Sequence, residues 1–140
     1  MSPPAAPLQG KSLPANVRGR WLIASEAEQW RGMAGSMEAG GASLLTMWGT
    51  DDRDRDGRFR IHAAYLLPEE LLVVEHALPD GSVRYPSLAA QYPIAGRLQR
   101  AVADLLGIHA DGGDQRAWLR HGGWPETFLP LRRDSALAER

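Results

Sequence analysis

Residues 43–78 read SLLTMWGTDDRDRDGRFRIHAAYLLPEELLVVEHAL, and three β-rich runs lie inside them, at 43–48, 59–67 and 71–78. In the second run Phe59, Ile61, Ala63 and Tyr65 alternate with Arg58, Arg60, His62 and Ala64. That is the two-residue period of a strand with one dry face and another that begins wet. Asp51, Asp52, Arg53, Asp54, Arg55 and Asp56 are too polar to bury as a run, and the Asp56-Gly57 step is a turn signal, so the first two runs form a long hairpin. Pro68-Glu69-Glu70 makes a shorter turn, and Pro79-Asp80-Gly81 another before a fourth short run at 82–85. Consecutive strands with turn-length links give an antiparallel meander.

Helical patterns flank this meander on both sides. On the N-terminal side an apolar run from Trp21 to Ala24 precedes Ser25 and Glu28, which have the spacing of a capping box. Trp30, Met33, Ala34 and Met37 then recur at helical spacing, a stripe that reads as core, and Gly40-Gly41 supplies a stop with positive φ. On the C-terminal side Ile94, Leu98, Ala101, Val102 and Leu105 form one face of a second helix, with Arg97, Gln99, Arg100 and Asp104 around the other. Pro93 suits its first turn and Gly107 its end. Beyond Ile108 the chain reads as loop through Gly112 and Gly113, with one helical turn over residues 114–120 and an irregular course past Trp124 and Pro130. There is no internal repeat. The expectation is an α+β two-layer domain, a largely antiparallel meander sheet with each helix stripe covering one sheet face. A flexible proline-rich arm is expected at 1–16, the body at 17–123 and an extended docking tail at 124–140.

Composition removes several classes of function. A chain of 140 residues with 44% apolar content builds about one domain. With 16 basic and 17 acidic side chains it lacks the excess positive charge that neutralises phosphates, so nucleic acid is not an expected partner. Without cysteine it forms no disulfide and holds no thiolate-ligated cluster or zinc. No apolar run approaches the roughly 18–20 residues that span a bilayer, and the first sixteen residues carry no secretion-signal pattern, so a cytosolic setting is the default. Five tryptophans in so short a chain exceed what a small core readily encloses, so some are expected to face a partner.

The candidate chemical constellations are thin. Asp52, Asp54, Asp56 and Gly57 match the start of a calcium-binding loop, but the twelfth position, where a bidentate glutamate would close the cage, is Ala63. Arg53, Arg55 and Arg58 add positive charge to the same loop, so a hairpin tip in solvent is expected. His62, His76, His109 and His121 lack the spacing that gathers ligands on one element, although His62 and His76 sit on neighbouring strands where they can meet. No serine lies in a nucleophile elbow, and no glycine pair belongs to a phosphate loop. Asp104 is different in kind. It sits in the last helical turn, where a carboxylate faces the negative end of the helix dipole at a cost of about 0.3–1 kcal/mol unless a cation answers it. Arg132 and Arg133 follow in a segment without helical or strand pattern. They either fold back to Asp104 or reach another protein, with Trp124 and Phe128 as anchors of the types that dominate hot spots.

These last residues carry a resemblance. Tyr85-Pro86-Ser87-Leu88, Pro93 through Leu98, Arg100, Asp104-Leu105, Gly107-Ile108, Gly113-Asp114 with Arg116, Trp124, and Pro130-Leu131-Arg132-Arg133-Asp134 resemble the thirty-kilodalton subunit family of respiratory complex I. That family extends to the matching subunit or domain of membrane-bound nickel–iron hydrogenases and formate hydrogenlyases. Its paired helix glutamates fall here at Gln99 and Ala101, its aromatic before glycine at Leu106, and its His-Pro-Asp at Gly112-Gly113-Asp114. Trp124-Pro125-Glu126 ahead of Phe128-Leu129-Pro130 is similar to the hydrogenase branch. The resemblance implies an α+β accessory subunit of an NADH dehydrogenase or hydrogenase complex, without a catalytic residue, cofactor or metal of its own. It also implies a place beside the nickel–iron-hydrogenase-like large subunit, peripheral to the inner face of the membrane. Arg100, Asp104, Arg116, Trp124, Phe128, Arg132, Arg133 and Asp134 are the residues it implicates in docking. The competing readings are a small histidine- or aspartate-based metal enzyme and a freestanding regulator built on the same domain.

Overall fold

The computed structural model describes residues 9–11, 18–112 and 129–132. Its centre is a five-stranded sheet of β1 (Gln9–Lys11), β2 (Gly19–Ile23), β3 (Ser43–Asp52), β4 (Arg58–Leu66) and β5 (Leu71–Ala77), in the order β1-β2-β5-β4-β3. The meander is present as β3-β4-β5, antiparallel throughout, with Trp48 opposite His62 and His62 opposite Glu75. The apolar run at Trp21 adds a strand that the turn signals do not announce: β2 lies parallel to β5, with Trp21 opposite Val73. A parallel partner needs a long crossover, and here α1 (Ala27–Ala39), β3 and β4 all intervene before the chain returns at β5. Residues 9–11, inside the arm expected to be loose, pair antiparallel with β2.

The fourth run departs from the meander. Arg84–Pro86, β6, pairs in parallel with His109–Asp111, β7, as a separate two-stranded sheet, so the stretch after Ile108 expected to be loop is partly strand. Three-residue strands carry too little periodicity to declare a partner.

The hairpin tip is exposed over residues 54–58, as expected, but it is helical and its base is buried. One turn of helix, α2 (Arg53–Asp56), closes it, and Gly57 ends that turn at φ 79°. Asp51 and Asp52 are only 4% and 7% exposed. Arg53 binds the Asp51 carboxylate through Nε at 2.9 Å and a terminal nitrogen at 2.8 Å, which compensates its burial.

The helices cover one face of the sheet. Helix α1 starts one residue later than the Ser25 box implies: Glu26 is the N-cap, its N–H donates to Gln29 Oε1 at 3.0 Å, and Ser25 Oγ donates to the same oxygen at 3.1 Å. Gln29 therefore plays the part expected of Glu28. The stripe behaves as core, with Trp30 and Ala34 fully buried and Met33 and Met37 packed against them. Trp30 donates Nε1–H to the Pro86 carbonyl at 3.0 Å and meets Tyr85 edge-on, tying α1 to the small sheet.

Helix α3 (Ala95–Leu106) is rotated relative to its expected face. Ala95, Gln99, Val102 and Leu106 point inward, while Ile94 is 52% exposed. Hydrogen bonding explains the inward position of Gln99: its Oε1 accepts from the Leu88 N–H at 2.9 Å and its Nε2 donates to Ser87 Oγ at 3.0 Å. Val102 and Leu106 close over Gly49 of β3, where an added Cβ would lie 2.5 Å from Leu106 Cδ1. Gly107 then ends the helix at φ 74°.

Candidate functional site

Among the expected docking residues, Arg100, Asp104 and Arg132 are described, and those at Arg116, Trp124, Phe128, Arg133 and Asp134 lie outside the described residues. Arg100 and Asp104 stand one turn apart on α3, half-buried and 5% exposed respectively. Arg132 returns to the end of the same helix, though not to the Asp104 carboxylate. Its Nε donates to the Leu106 carbonyl at 2.6 Å, and one residue earlier the Leu131 N–H donates to the Leu105 carbonyl at 2.9 Å. The physical reason is the helix end itself. The last carbonyls of a helix have no partner within it and carry the negative end of its dipole, so a cation settles there readily.

Two further features fix Arg132. Its guanidinium carbon lies 5.1 Å from the centre of the Phe59 ring, which Arg53 also approaches at 4.7 Å. Gly107 leaves the space that the side chain needs, since a Cβ there would sit 2.8 Å from an Arg132 terminal nitrogen and 2.8 Å from Leu129 Cδ1. Residues 129–132 are thus clasped to α3 and β4 within the stretch expected to be an extended tail.

A second cluster, which sequence reasoning did not assemble, occupies the sheet face opposite the helices. His62 is stacked on Trp48, with centroids 4.9 Å apart and planes 3° apart, and Trp21 meets the same imidazole edge-on at 5.8 Å. Beneath them Glu75 accepts from Trp21 Nε1 at 3.1 Å, with His62 Nε2 at 3.5 Å from the same oxygen. Arg60 links Glu75 at 3.4 Å, Asp52 at 3.2 Å and Asp56 at 2.5 Å. Its hydrogen bond to Asp56, with the attraction of the two charges, holds that carboxyl below the usual aspartate range. The wet face of β4 therefore becomes dry after Arg60, because two indoles cover His62. Cross-strand parity was the available signal: Trp48, His62 and Glu75 are successive partners across β3, β4 and β5 and must share a face.

The same parity separates the histidines. His76 is paired with Ile61 and lies on the helix side, where its Nδ1 is 2.7 Å from the Ala24 carbonyl and its ring faces Trp30. Burial pushes its pKa down, against the opposing pull of that carbonyl. His62 and His76 thus do not meet, and among the described residues no three histidine or acidic side chains are grouped to hold a metal. An open concavity of about 390 Å³ beside α1, lined by Arg31, Ser87, Gln91 and Asp111 among others, contains neither histidine. Among the described residues no helix is long and apolar enough to cross a membrane.

Known proteins are similar to this chain in sequence or in fold. Formate hydrogenlyase subunit 5 of Escherichia coli (strain K12) is 29% identical over 101 residues, which are 68% of this chain and 17% of that protein. The chain thus matches about a sixth of that relative's length. Among solved structures, the trypsin-resistant fragment of Nqo5 covers 67% of this chain and 80% of its own at a TM-score of 0.59 and 24% identity. A chain of the membrane-bound sulfane sulfur reductase, an archaeal respiratory membrane complex, covers 96% of this chain and 80% of its own at a TM-score of 0.78 and 18% identity. These two likenesses establish the fold. Residues 23–140 match the family described as the respiratory-chain NADH dehydrogenase 30 kDa subunit, and since that match takes in most of the sequence, the chain belongs to this family.

Proposed function

We propose that this chain is a non-catalytic accessory subunit of a complex I-like NADH:quinone oxidoreductase or a related membrane-bound hydrogenase. It docks on the nickel–iron-hydrogenase-like large subunit, with the assembly peripheral to the cytoplasmic face of the membrane. The observation that carries this reading is the match of residues 23–140 to the 30 kDa subunit family. The formate hydrogenlyase relative supports the reading in another way: the matching stretch there is a minor part of a much longer polypeptide. A domain carried in one chain with a larger partner region has reason to pack against it.

The division between the two arginines gives the test. Arg132 is engaged within the chain, so charge reversal at its neighbour is the cleaner probe. The tagged chain is co-expressed with the large subunit, and the large subunit retained on the tag is quantified. R133E is expected to lower retention at least tenfold without shifting the thermal midpoint of the chain, since truncating one partner of a desolvated charge pair costs about 2–5 kcal/mol. Undiminished retention overturns the docking role, and turnover by the purified chain alone overturns the non-catalytic one.

A further inference from the structure

The clasp at the end of α3 leaves a cation only partly used. The Nε of Arg132 donates to Leu106, its plane lies by Phe59, and Gly107 gives it room. These contacts fix the orientation of the group and consume one of its five N–H donors. None is a contact with a carboxylate. Arg53, the other guanidinium on Phe59, is matched in two bonds by Asp51, whereas the terminal nitrogens of Arg132 have no hydrogen-bond acceptor among the described residues. Leu131, the residue before it, is 53% exposed although its backbone is tied to α3, so the chain presents an apolar side chain to solvent one position from that arginine.

We propose that Arg132 and Leu131 together form a receptor for an acidic side chain of the docking partner. The two terminal nitrogens grip a carboxylate in a planar fork, and Leu131 covers the apolar flank of the same partner segment. Charge complementarity identifies the occupant. A guanidinium pre-oriented by its own chain loses less freedom on binding than a free one, and the fork geometry selects a carboxylate. The exposed leucine alongside favours a protein surface over a free anion. The proposal rests on the docking role given above and names the chemistry at one point of that surface.

The full chain, co-expressed with the large subunit and captured by its tag, tests this with three variants. R132K keeps the charge and loses the fork, and is expected to lower retention at least tenfold. L131E leaves the clasp in place and offers the fork a carboxylate from its own chain, so it is expected to lower retention as strongly. L131Q removes the leucine without offering a charge and is expected to lower it only about threefold, with the thermal midpoints of L131E and L131Q alike. Where R132K fails to fold, the L131E and L131Q comparison decides alone. Retention by folded R132K within twofold of the unaltered chain overturns the receptor, as does equal retention by L131E and L131Q. If the unaltered chain fails to retain the large subunit, the docking role itself falls.

Discussion

The Trp48 indole and the His62 imidazole lie face to face across β3 and β4, 4.9 Å apart and within 3° of parallel. The indole is a roof: beneath it the His62 side chain is 5% exposed and Glu75 7%. Trp48→Ala is therefore expected to admit water to a buried imidazole and carboxylate as well as to lose packing. A loss of about 2–4 kcal/mol is expected from the range for core aromatics, reduced because Trp48 is half-buried. Denaturant titration with an unchanged slope checks it.

Arg60 answers three carboxylates, two of them on side chains no more than 10% exposed. Arg60→Gln leaves Asp52 and Glu75 buried without that cation, and a loss of about 3–5 kcal/mol is expected from the cost of breaking buried pairs. The double variant R60Q/E75Q is expected to recover part of it, and a thermal midpoint for the double variant no higher than for R60Q counts against the network.

Two glycines are expected to resist replacement for different reasons. At Gly49 the backbone is ordinary strand, but a methyl group would enter the space of Leu106, Val102 and Ile108, so G49A is expected to cost about 1–3 kcal/mol through overpacking. At Gly107 the cost is about 1–2 kcal/mol for the left-handed backbone, with displacement of Arg132 added. Hydrogen exchange separates them: G107A is expected to raise exchange at the Leu131 amide selectively.

His76 gives the fold a pH dependence whose sign is fixed. Burial lowers its folded pKa below the ordinary 6.5, so the folded chain favours the neutral ring. Above pH 6.5 its contribution is complete. As the pH falls from there, the unfolded chain takes up the proton first and stability declines until the folded pKa is passed. H76Q, which keeps a donor for the Ala24 carbonyl, is expected to flatten the decline in unfolding free energy between pH 7 and 5, and an unaltered slope refutes the assignment.

The parts legible in the sequence are those with a local signal. The β3-β4-β5 meander follows from period-2 runs and turn-length links, and α1 from its Trp30–Ala34 stripe. What escapes is decided by distance along the chain. Nothing near Trp21 announces that its partner is Val73, and nothing near Arg84 announces His109. The orientation of α3 is misread because Gln99 is polar by type, yet its amide answers Leu88 and Ser87 in the interior. The Glu75 cluster stays hidden for the same reason as the distant pairings, since its members become neighbours only once the register of three strands is known. The return of Arg132 to the helix end is one of the two alternatives the sequence leaves open, with the Leu106 carbonyl as acceptor in place of the expected Asp104.

The parallel pairing of β2 with β5 joins Trp21 to Val73, across more than a third of the sequence. During synthesis, β2 emerges from the ribosome well before the strand it needs, and at 5–20 residues per second the wait is roughly 3–11 s. Trp21 and Leu22 are then bare to water. Until β5 follows, the parallel pair cannot form, and this side of the sheet is the last to close.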